Sequence, residues 1–140
     1  MQSIIGPQFS QLTIQKIDEA KQKIEIIVFD WRWYPNDPAN PVQLFNQALV
    51  RAVRRGVRVR AIVNNESITQ TLKALGIETK KLQGKSLVHA KIIIFDNKEA
   101  VLGSHNFTAP AFTDNLELSV LIDDESCVSD YLKYFDNLWK

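Results

Sequence analysis

The sequence predicts an α/β fold in which a mixed β-sheet is flanked by helices on both faces. In the first half of the chain, helical patterns alternate with short apolar strands, which is typical of βα units. In the second half, two short apolar strands follow one another directly, which favours a hairpin. The chain has 140 residues, 45% of them hydrophobic, and this is enough for one core. We therefore expect a single domain over residues 1–140.

Five elements are expected up to residue 63. They are a helix that begins near Ser10, a strand over 24–30, a loop over 30–40, a helix over 41–55 and a strand over 57–63. The second helix has the clearest boundaries, because Asn40 can cap it, Pro41 suits its first position and Gly56 can end it.

The remaining elements alternate less regularly. A helix over about 66–75 ends at Gly76 and leads to a short strand over 77–81. Strands over roughly 87–95 and 100–103 follow, joined by a turn over 96–99, and then a strand over 116–122. The final helix is expected to begin after a cap at Asp123 or Asp124. Its core-facing residues are expected to be Val128, Tyr131, Leu132, Phe135 and Leu138 or Trp139.

The strand over 87–95 carries the first candidate site residues. Side chains alternate along a strand, so His89 and Lys91 are expected to project from one face. A neutral imidazole can act as a nucleophile or proton carrier, and a neighbouring ammonium can hold an anion against it. Ser104 and Asn106 add a hydroxyl and an amide as further donors. This set predicts a phosphate site, whereas His89 taken alone would more often be a hydrogen-bonded structural residue.

The residues from His89 to Asn106 read H-x-K-x4-D-x6-G-S-x-N, which resembles the signature of the phospholipase D superfamily. The likeness is greatest to its small, single-motif, bacterial nuclease-like members. It implies the phospholipase D-like fold and phosphodiester hydrolysis without a metal or other cofactor. By this resemblance, His89 attacks phosphorus to form a phosphohistidine, Lys91, Ser104 and Asn106 bind the non-bridging oxygens, and Glu117 orients His89.

Two carboxylates have alternative interpretations. A carboxylate on the far nitrogen of the nucleophilic imidazole would fix its tautomer, as the third member of a catalytic triad does, and Glu117 is favoured for this role over that of an exposed strand-face acid. Asp96 belongs to the signature and is a candidate site residue. It also ends a predicted strand, where capping the turn at Asn97 is the favoured role.

The chemistry requires a second acid, because the leaving alkoxide must be protonated opposite the nucleophile. The chain has only two histidines, and His105, between Ser104 and Asn106, is expected to face the core. Single-motif superfamily members resemble half an enzyme and pair two chains, so we expect a homodimer with a shared site. Its two copies of His89 would titrate as a coupled pair. Residues near Trp31, Trp33 and Phe112 are among the candidates for the contact between chains.

A net charge of +1 gives no overall field that attracts a polyanion. Local clusters of basic residues could instead follow the phosphates of a nucleic acid. The alternative is that they are a solvated helix end and strand edge. These residues are Arg51, Arg54, Arg55, Arg58, Arg60, Lys80, Lys81 and Lys85. Trp31, Trp33 and Tyr34 can stack on nucleobases or pack in the core or an interface, and packing is favoured.

The favoured function is an endonuclease that cleaves DNA with little sequence preference, and RNA stays open as a substrate. No sequence-reading module is evident. One alternative is a phospholipid phosphodiesterase, and another is a non-catalytic nucleic-acid-binding or assembly module. The single Cys127 and the lack of a secretory signal or long apolar run predict a cytoplasmic protein without stable membrane association. The chain is also compatible with a nuclease domain of a larger protein.

Overall fold

Seven strands and five helices make up the computed structural model, which describes residues 1–140. The strands are β1 (Gln2–Ile5), β2 (Lys23–Ile27), β3 (Arg58–Val63), β4 (Glu78–Lys81), β5 (Ile92–Phe95), β6 (Glu99–Gly103) and β7 (Leu118–Ile122). The helices are α1 (Gln8–Glu19), α2 (Pro41–Arg54), α3 (Glu66–Ala74), α4 (Ala109–Thr113) and α5 (Glu125–Trp139).

All seven strands form one mixed sheet in the order β1-β7-β6-β5-β2-β3-β4. The strands β2, β3 and β4 are parallel, because the helices α2 and α3 return the chain to the same edge each time. The strands β5, β6, β7 and β1 pair antiparallel, and β5 also pairs antiparallel with β2 at the centre. The predicted mixed sheet between helices is thereby confirmed.

Local signals explain the boundaries of α2. The Asn40 side chain accepts a hydrogen bond of 2.9 Å from the backbone N–H of Val42, and Pro41 occupies the first turn. Gly56 follows the helix with φ of +94°, a conformation that favours glycine. Each of these three residues has the role that the sequence predicts.

The two faces of the sheet are covered unequally. Four helices pack on one face, over a core of 27 buried residues, whereas α5 covers the other face over a core of 8. The helix α5 lies over β5 and β6. On β7 and β1, beyond this helix, Leu118 is 65% exposed and Ile5 is 58% exposed. This part of the sheet, called here the half-covered face, carries apolar side chains that no helix of the chain buries.

An ion cluster connects α5 to the sheet, and its members Glu25 and Arg60 are buried. The guanidinium of Arg60 on β3 donates at 3.2 Å to Glu25 on β2 and to Asp136 on α5. It also lies 4.8 Å from the ring centre of Phe135. Burial raises the pKa of Glu25 above its usual value, although Lys23 and Arg60 act in the opposite direction.

Three elements differ most from the prediction, and β2 and β7 are also shorter than expected. The strand β1 lay outside the predicted elements, and its place comes from pairing with the edge of β7. The short helix α4 was also missed, although Thr108 caps it by accepting from the N–H of Ala111 at 3.3 Å. The strand expected from residue 87 begins only at Ile92. No helix combines the length and hydrophobicity that crossing a bilayer requires.

Candidate active site

The candidate residues meet at one edge of the sheet. His89 and Lys91 come directly before β5, Ser104 and Asn106 directly follow β6, and Glu117 comes directly before β7. In an antiparallel pair the start of one strand lies beside the end of the next, so these positions converge. The structure therefore places five of the six predicted side chains at one edge.

An asparagine that the sequence analysis missed holds the segment before β5. The Asn64 amide accepts from the backbone N–H of Val88 at 3.0 Å and donates to its carbonyl at 2.6 Å. The same amide donates to the carbonyl of Phe29 at 3.0 Å. Side-chain hydrogen bonds thus replace a strand ladder here, which explains why β5 begins late.

His89 presents an exposed ring beside this clamp. Its ring centre lies 5.0 Å from that of Phe29, and its nitrogens make no hydrogen bond within the chain. The ammonium of Lys91 donates to the carbonyl of His89 at 3.1 Å and lies 5.7 Å from the Phe29 ring centre. The nucleophile and the cation are therefore neighbours as expected, although on an extended segment and not within a strand.

Gly103 is required by the close approach of β6 to β7. It pairs with Ser119, and a Cβ atom on Gly103 would collide with the carbonyl of Leu118 and with Ser119. Because the obstructing atoms include backbone, a side chain at this position would force the two strands apart. The glycine of the signature thus keeps the following serine against β7.

The hydroxyl of Ser104 is committed within the chain. It accepts from the backbone N–H of Leu118 at 3.0 Å and donates to the carboxylate of Glu117 at 2.5 Å. A serine has one hydroxyl proton, and here it points to Glu117. In this geometry the serine anchors the carboxylate, and donation from Ser104 to phosphate stays a prediction.

Glu117 is held from both sides. Its second oxygen accepts from the amide of Asn115 at 3.1 Å, a residue that the sequence analysis missed. The predicted bond between Glu117 and His89 is not made within the chain, since the carboxylate oxygens contact Ser104 and Asn115. Asn115 is two residues before the acid in the turn that leads to β7, and only the folded geometry reveals its role.

The amide of Asn106 has a defined orientation. Its oxygen accepts from the backbone N–H of Asp30 at 3.0 Å, so its NH₂ group is left to donate elsewhere. The carboxylate of Asp30 in turn accepts from Arg32 at 2.8 Å. The site thus includes an arginine that the sequence analysis did not single out.

Asp96 lies at the opposite end of β5, so the structure does not bring it together with the other five candidate residues. Its carboxylate accepts from the backbone N–H groups of residues 21, 22 and 23 at 2.9, 2.8 and 3.0 Å. Burial raises the pKa of Asp96, but these three hydrogen bonds outweigh it, so the pKa lies below its usual value. The residue ties the turn after β5 to the start of β2, instead of capping Asn97 alone.

His105 faces the core, as predicted. Its Nε2 donates to the carbonyl of Gly6 at 2.9 Å, so its Nδ1 accepts from the hydroxyl of Ser119 at 2.7 Å. The ring stacks on Phe9 at 4.3 Å between ring centres. Burial lowers the pKa of His105, which keeps the imidazole neutral and removes it from the chemistry.

The basic cluster before and within β3 is structural. Arg51 pairs with Asp18 and Arg58 with Glu78, while Arg55 donates to two backbone carbonyls. Together with Arg60 in its buried cluster, four of the five arginines are committed within the chain. The hypothesis that they track phosphates is therefore not supported, and the alternative of a structural surface is.

A cavity of about 510 Å³ opens beside the nucleophile. His89, Lys91 and Ser104 line one side, and Tyr131 and Tyr134 of α5 line another. No three His, Cys, Asp or Glu side chains lie together in a way that could hold a metal ion. Hydrolysis without a metal stays a prediction.

Comparison with known proteins gives consistent matches. Residues 13–139 match the family model described as "Cardiolipin synthase, PLD-like domain". A mitochondrial cardiolipin hydrolase from Xenopus laevis is 30% identical over 138 residues, covering 94% of this chain and 61% of the relative. A phospholipase D from Rickettsia conorii is 32% identical over 102 residues, covering 67% of this chain and 50% of the relative. The chain thus spans about half to three fifths of the length of these relatives.

Solved structures match over nearly the whole chain. Nuc from Salmonella typhimurium, described as a phospholipase D family member, superimposes with a TM-score of 0.81 at 26% identity, covering 99% of this chain and 93% of Nuc. NucT from Helicobacter pylori superimposes with a TM-score of 0.80 at 21% identity, covering 99% of this chain and 94% of NucT, and has the same fold.

Proposed function

The chain belongs to the phospholipase D superfamily, and from this we propose that it is a metal-independent phosphodiesterase that cleaves DNA with little sequence preference. The observation that carries the proposal is the exposed imidazole of His89, free of internal hydrogen bonds and adjacent to the ammonium of Lys91. The second histidine is buried and bonded on both nitrogens, so His89 alone can meet a substrate.

The reaction proceeds in two displacements. A ring nitrogen of His89 attacks phosphorus, and the bond from phosphorus to the leaving alkoxide breaks, which gives a phosphohistidine. Water then attacks phosphorus, the phosphorus–nitrogen bond breaks, and a phosphomonoester and free His89 result. Lys91 and the NH₂ group of Asn106 donate to the non-bridging oxygens as negative charge develops there.

A second copy of the chain supplies the acid that protonates the leaving alkoxide. The described side chains offer one exposed histidine, and the reaction needs a neutral and a protonated imidazole together. The half-covered face supports such a dimer, because Leu118 and Ile5 are exposed on it close to Glu117. Trp31 and Phe112, suggested by the sequence for this contact, are 2% and 1% exposed and belong to the core.

Two observations favour a nucleic acid over a lipid. The solved structures of Nuc and NucT, whose names suggest nucleases, superimpose on 99% of this chain. Moreover, Arg32 adjoins Asn106 through Asp30, which gives a further cation for the successive phosphates of a polynucleotide.

A phospholipid phosphodiesterase is the second candidate. It is favoured by the name of the Xenopus laevis relative and by the apolar part of the cavity wall, which Ile92 and Leu102 contribute next to His89.

The test is cleavage of supercoiled plasmid and single-stranded DNA in excess EDTA, with cardiolipin vesicles in parallel. We expect DNA to be cut by the wild type and not by His89→Ala. Lys91→Ala should be impaired, whereas the matched control Lys98→Ala, an exposed lysine at the far end of β5, should cut normally. Hydrolysis of the vesicles alone would favour the lipid, and DNA cleavage by His89→Ala at the wild-type rate would overturn the mechanism.

A further inference from the structure

We propose that Arg32 and Trp33 form a subsite for an unpaired nucleotide next to the scissile phosphate, so that the chain prefers single-stranded nucleic acid. The inference rests on the proposed function and names the substrate class of the same site. Both residues belong to the loop between β2 and α2, which begins next to Asn106.

Two adjoining cavities share these residues. The first, of about 500 Å³, is lined by Asn106, Arg32 and Trp33. The second, of about 420 Å³, is lined by Arg32 and Trp33 and extends to Asn65 and Ser67 at the start of α3. A nucleic acid strand with one phosphate bound at Asn106 can therefore continue through the two cavities past the indole of Trp33.

Trp33 differs from the two aromatic residues beside it. Trp31 is 2% exposed, and its indole N–H donates to Asn46 at 2.8 Å. The hydroxyl of Tyr34 accepts from the backbone N–H of Ala109 at 3.1 Å. Of the three aromatic side chains that could stack on bases, Trp33 is the one that lines both cavities, and its side chain makes no hydrogen bond. Its half-buried ring packs in part against the core, which fixes its position.

Arg32 is a cation fixed in place and still able to bind. Its side chain is 63% exposed and is held by Asp30, to which Nε and one terminal nitrogen donate at 2.8 and 3.3 Å. These bonds use two of its five N–H donors, so the others can meet a phosphate of the neighbouring nucleotide. Because Asp30 also binds Asn106, the subsite is connected directly to the signature residues.

The combination selects an unpaired base. An indole ring stacks on any nucleobase, but the face of a base within a duplex is already covered by its neighbours. A lipid headgroup offers a phosphate for Arg32 and no flat ring for Trp33. The groove therefore fits a single strand better than a duplex or a phospholipid.

The test compares kcat/KM for single-stranded DNA, duplex DNA and an abasic single strand, which keeps the phosphates and lacks the bases. For Trp33→Ala we expect the ratio of single-stranded DNA to abasic strand to fall roughly tenfold, with partial rescue in Trp33→Phe, which keeps a ring that stacks. The control Leu44→Ala, an exposed apolar position on α2, should keep the wild-type ratio. An unchanged ratio in Trp33→Ala, or equal losses for single strands and duplex, would overturn the subsite.

Binding separates this proposal from the catalytic one. In the His89→Asn background, anisotropy of a labelled single strand should show weaker binding after Arg32→Gln, with a salt slope lower by about 0.7 for the lost phosphate contact. Arg32 is exposed, so this variant should fold normally. Undiminished binding in both Arg32→Gln and Trp33→Ala would refute the subsite even if the wild type cleaves DNA. If the wild type binds single strands through these residues but cleaves nothing, the subsite stands and the proposed catalysis fails.

Discussion

The two ends of the strand pair β5 and β6 differ in how their polar groups are used. At the turn end, Asp96 accepts three backbone hydrogen bonds, and both oxygens of Glu99 accept from Lys16 at 3.1 Å. At the other end, the imidazole of His89 has no hydrogen bond within the chain. The signature thus places hydrogen bonds that close the fold at one end and an exposed imidazole, free to meet a substrate, at the other.

The largest expected effect concerns the reactive end. His89→Asn should lower kcat by at least about 10⁴-fold, because the nucleophile is removed. The free energy of unfolding should stay within about 0.5 kcal/mol of wild type, since the ring is exposed and unbonded. Steady-state kinetics and urea unfolding test both statements. A large loss of stability in His89→Asn would contradict the claim that this end of the strand pair does not stabilise the fold through His89.

The next largest effect is expected at Gly103, where a substitution should affect both stability and activity. Gly103→Ala places a Cβ against the backbone of β7 and should cost about 1–3 kcal/mol of stability. Activity should fall as well, because Ser104 and Glu117 move with the displaced strands. Thermal unfolding and plasmid cleavage measure the two losses, with Lys98→Ala, an exposed position in the turn after β5, as the control. A fully stable, fully active Gly103→Ala protein would contradict the packing argument.

At the turn end, Asp96→Ala should cost about 1–2 kcal/mol and leave catalysis near wild type. The pKa of Asp96 is lowered on folding, so its contribution is present above the unfolded value near 3.8 and is lost as pH falls below it. Urea unfolding between pH 7 and 3 should therefore show acid destabilisation in the wild type that is smaller in Asp96→Ala. Loss of activity without loss of stability would return Asp96 to the site.

The smallest effect concerns His105. Its pKa is lowered on folding, so below the unfolded value of 6.5 the unfolded chain binds the proton first, and stability falls as pH decreases. The slope should be at most about 1.4 kcal/mol per pH unit and should flatten in His105→Gln. Melting temperatures from pH 7.5 to 5 would show it, and an equal slope in both proteins would point to another group.

The sequence predicts those features that depend on local chemistry or on periodicity. The caps of α2, the order of the strands from β2 to β7, and the convergence of His89, Lys91, Ser104 and Asn106 follow from local patterns, whereas Glu117 was assigned through the family resemblance. The strand β1 was missed because its position depends on pairing with β7, more than a hundred residues away. Asn64, which shapes the segment before β5, acts through contacts distant in sequence.

The details of the site depend on geometry that spacing does not contain. A serine hydroxyl can donate to a phosphate or to a carboxylate, and only the fold shows that Ser104 faces Glu117. In the same way, Arg32 and Asn115 are ordinary loop residues until Asp30 and Glu117 are placed beside them.

The most direct test of the account is detection of the covalent intermediate. The wild-type protein would be mixed with a DNA oligonucleotide in EDTA, quenched within milliseconds in alkali, which preserves phosphohistidine, and digested for mass spectrometry. The account predicts that the peptide containing His89 carries the phosphate still esterified to the retained DNA fragment, and that His89→Asn carries no adduct. An adduct on another residue, or rapid turnover by His89→Asn, would contradict it.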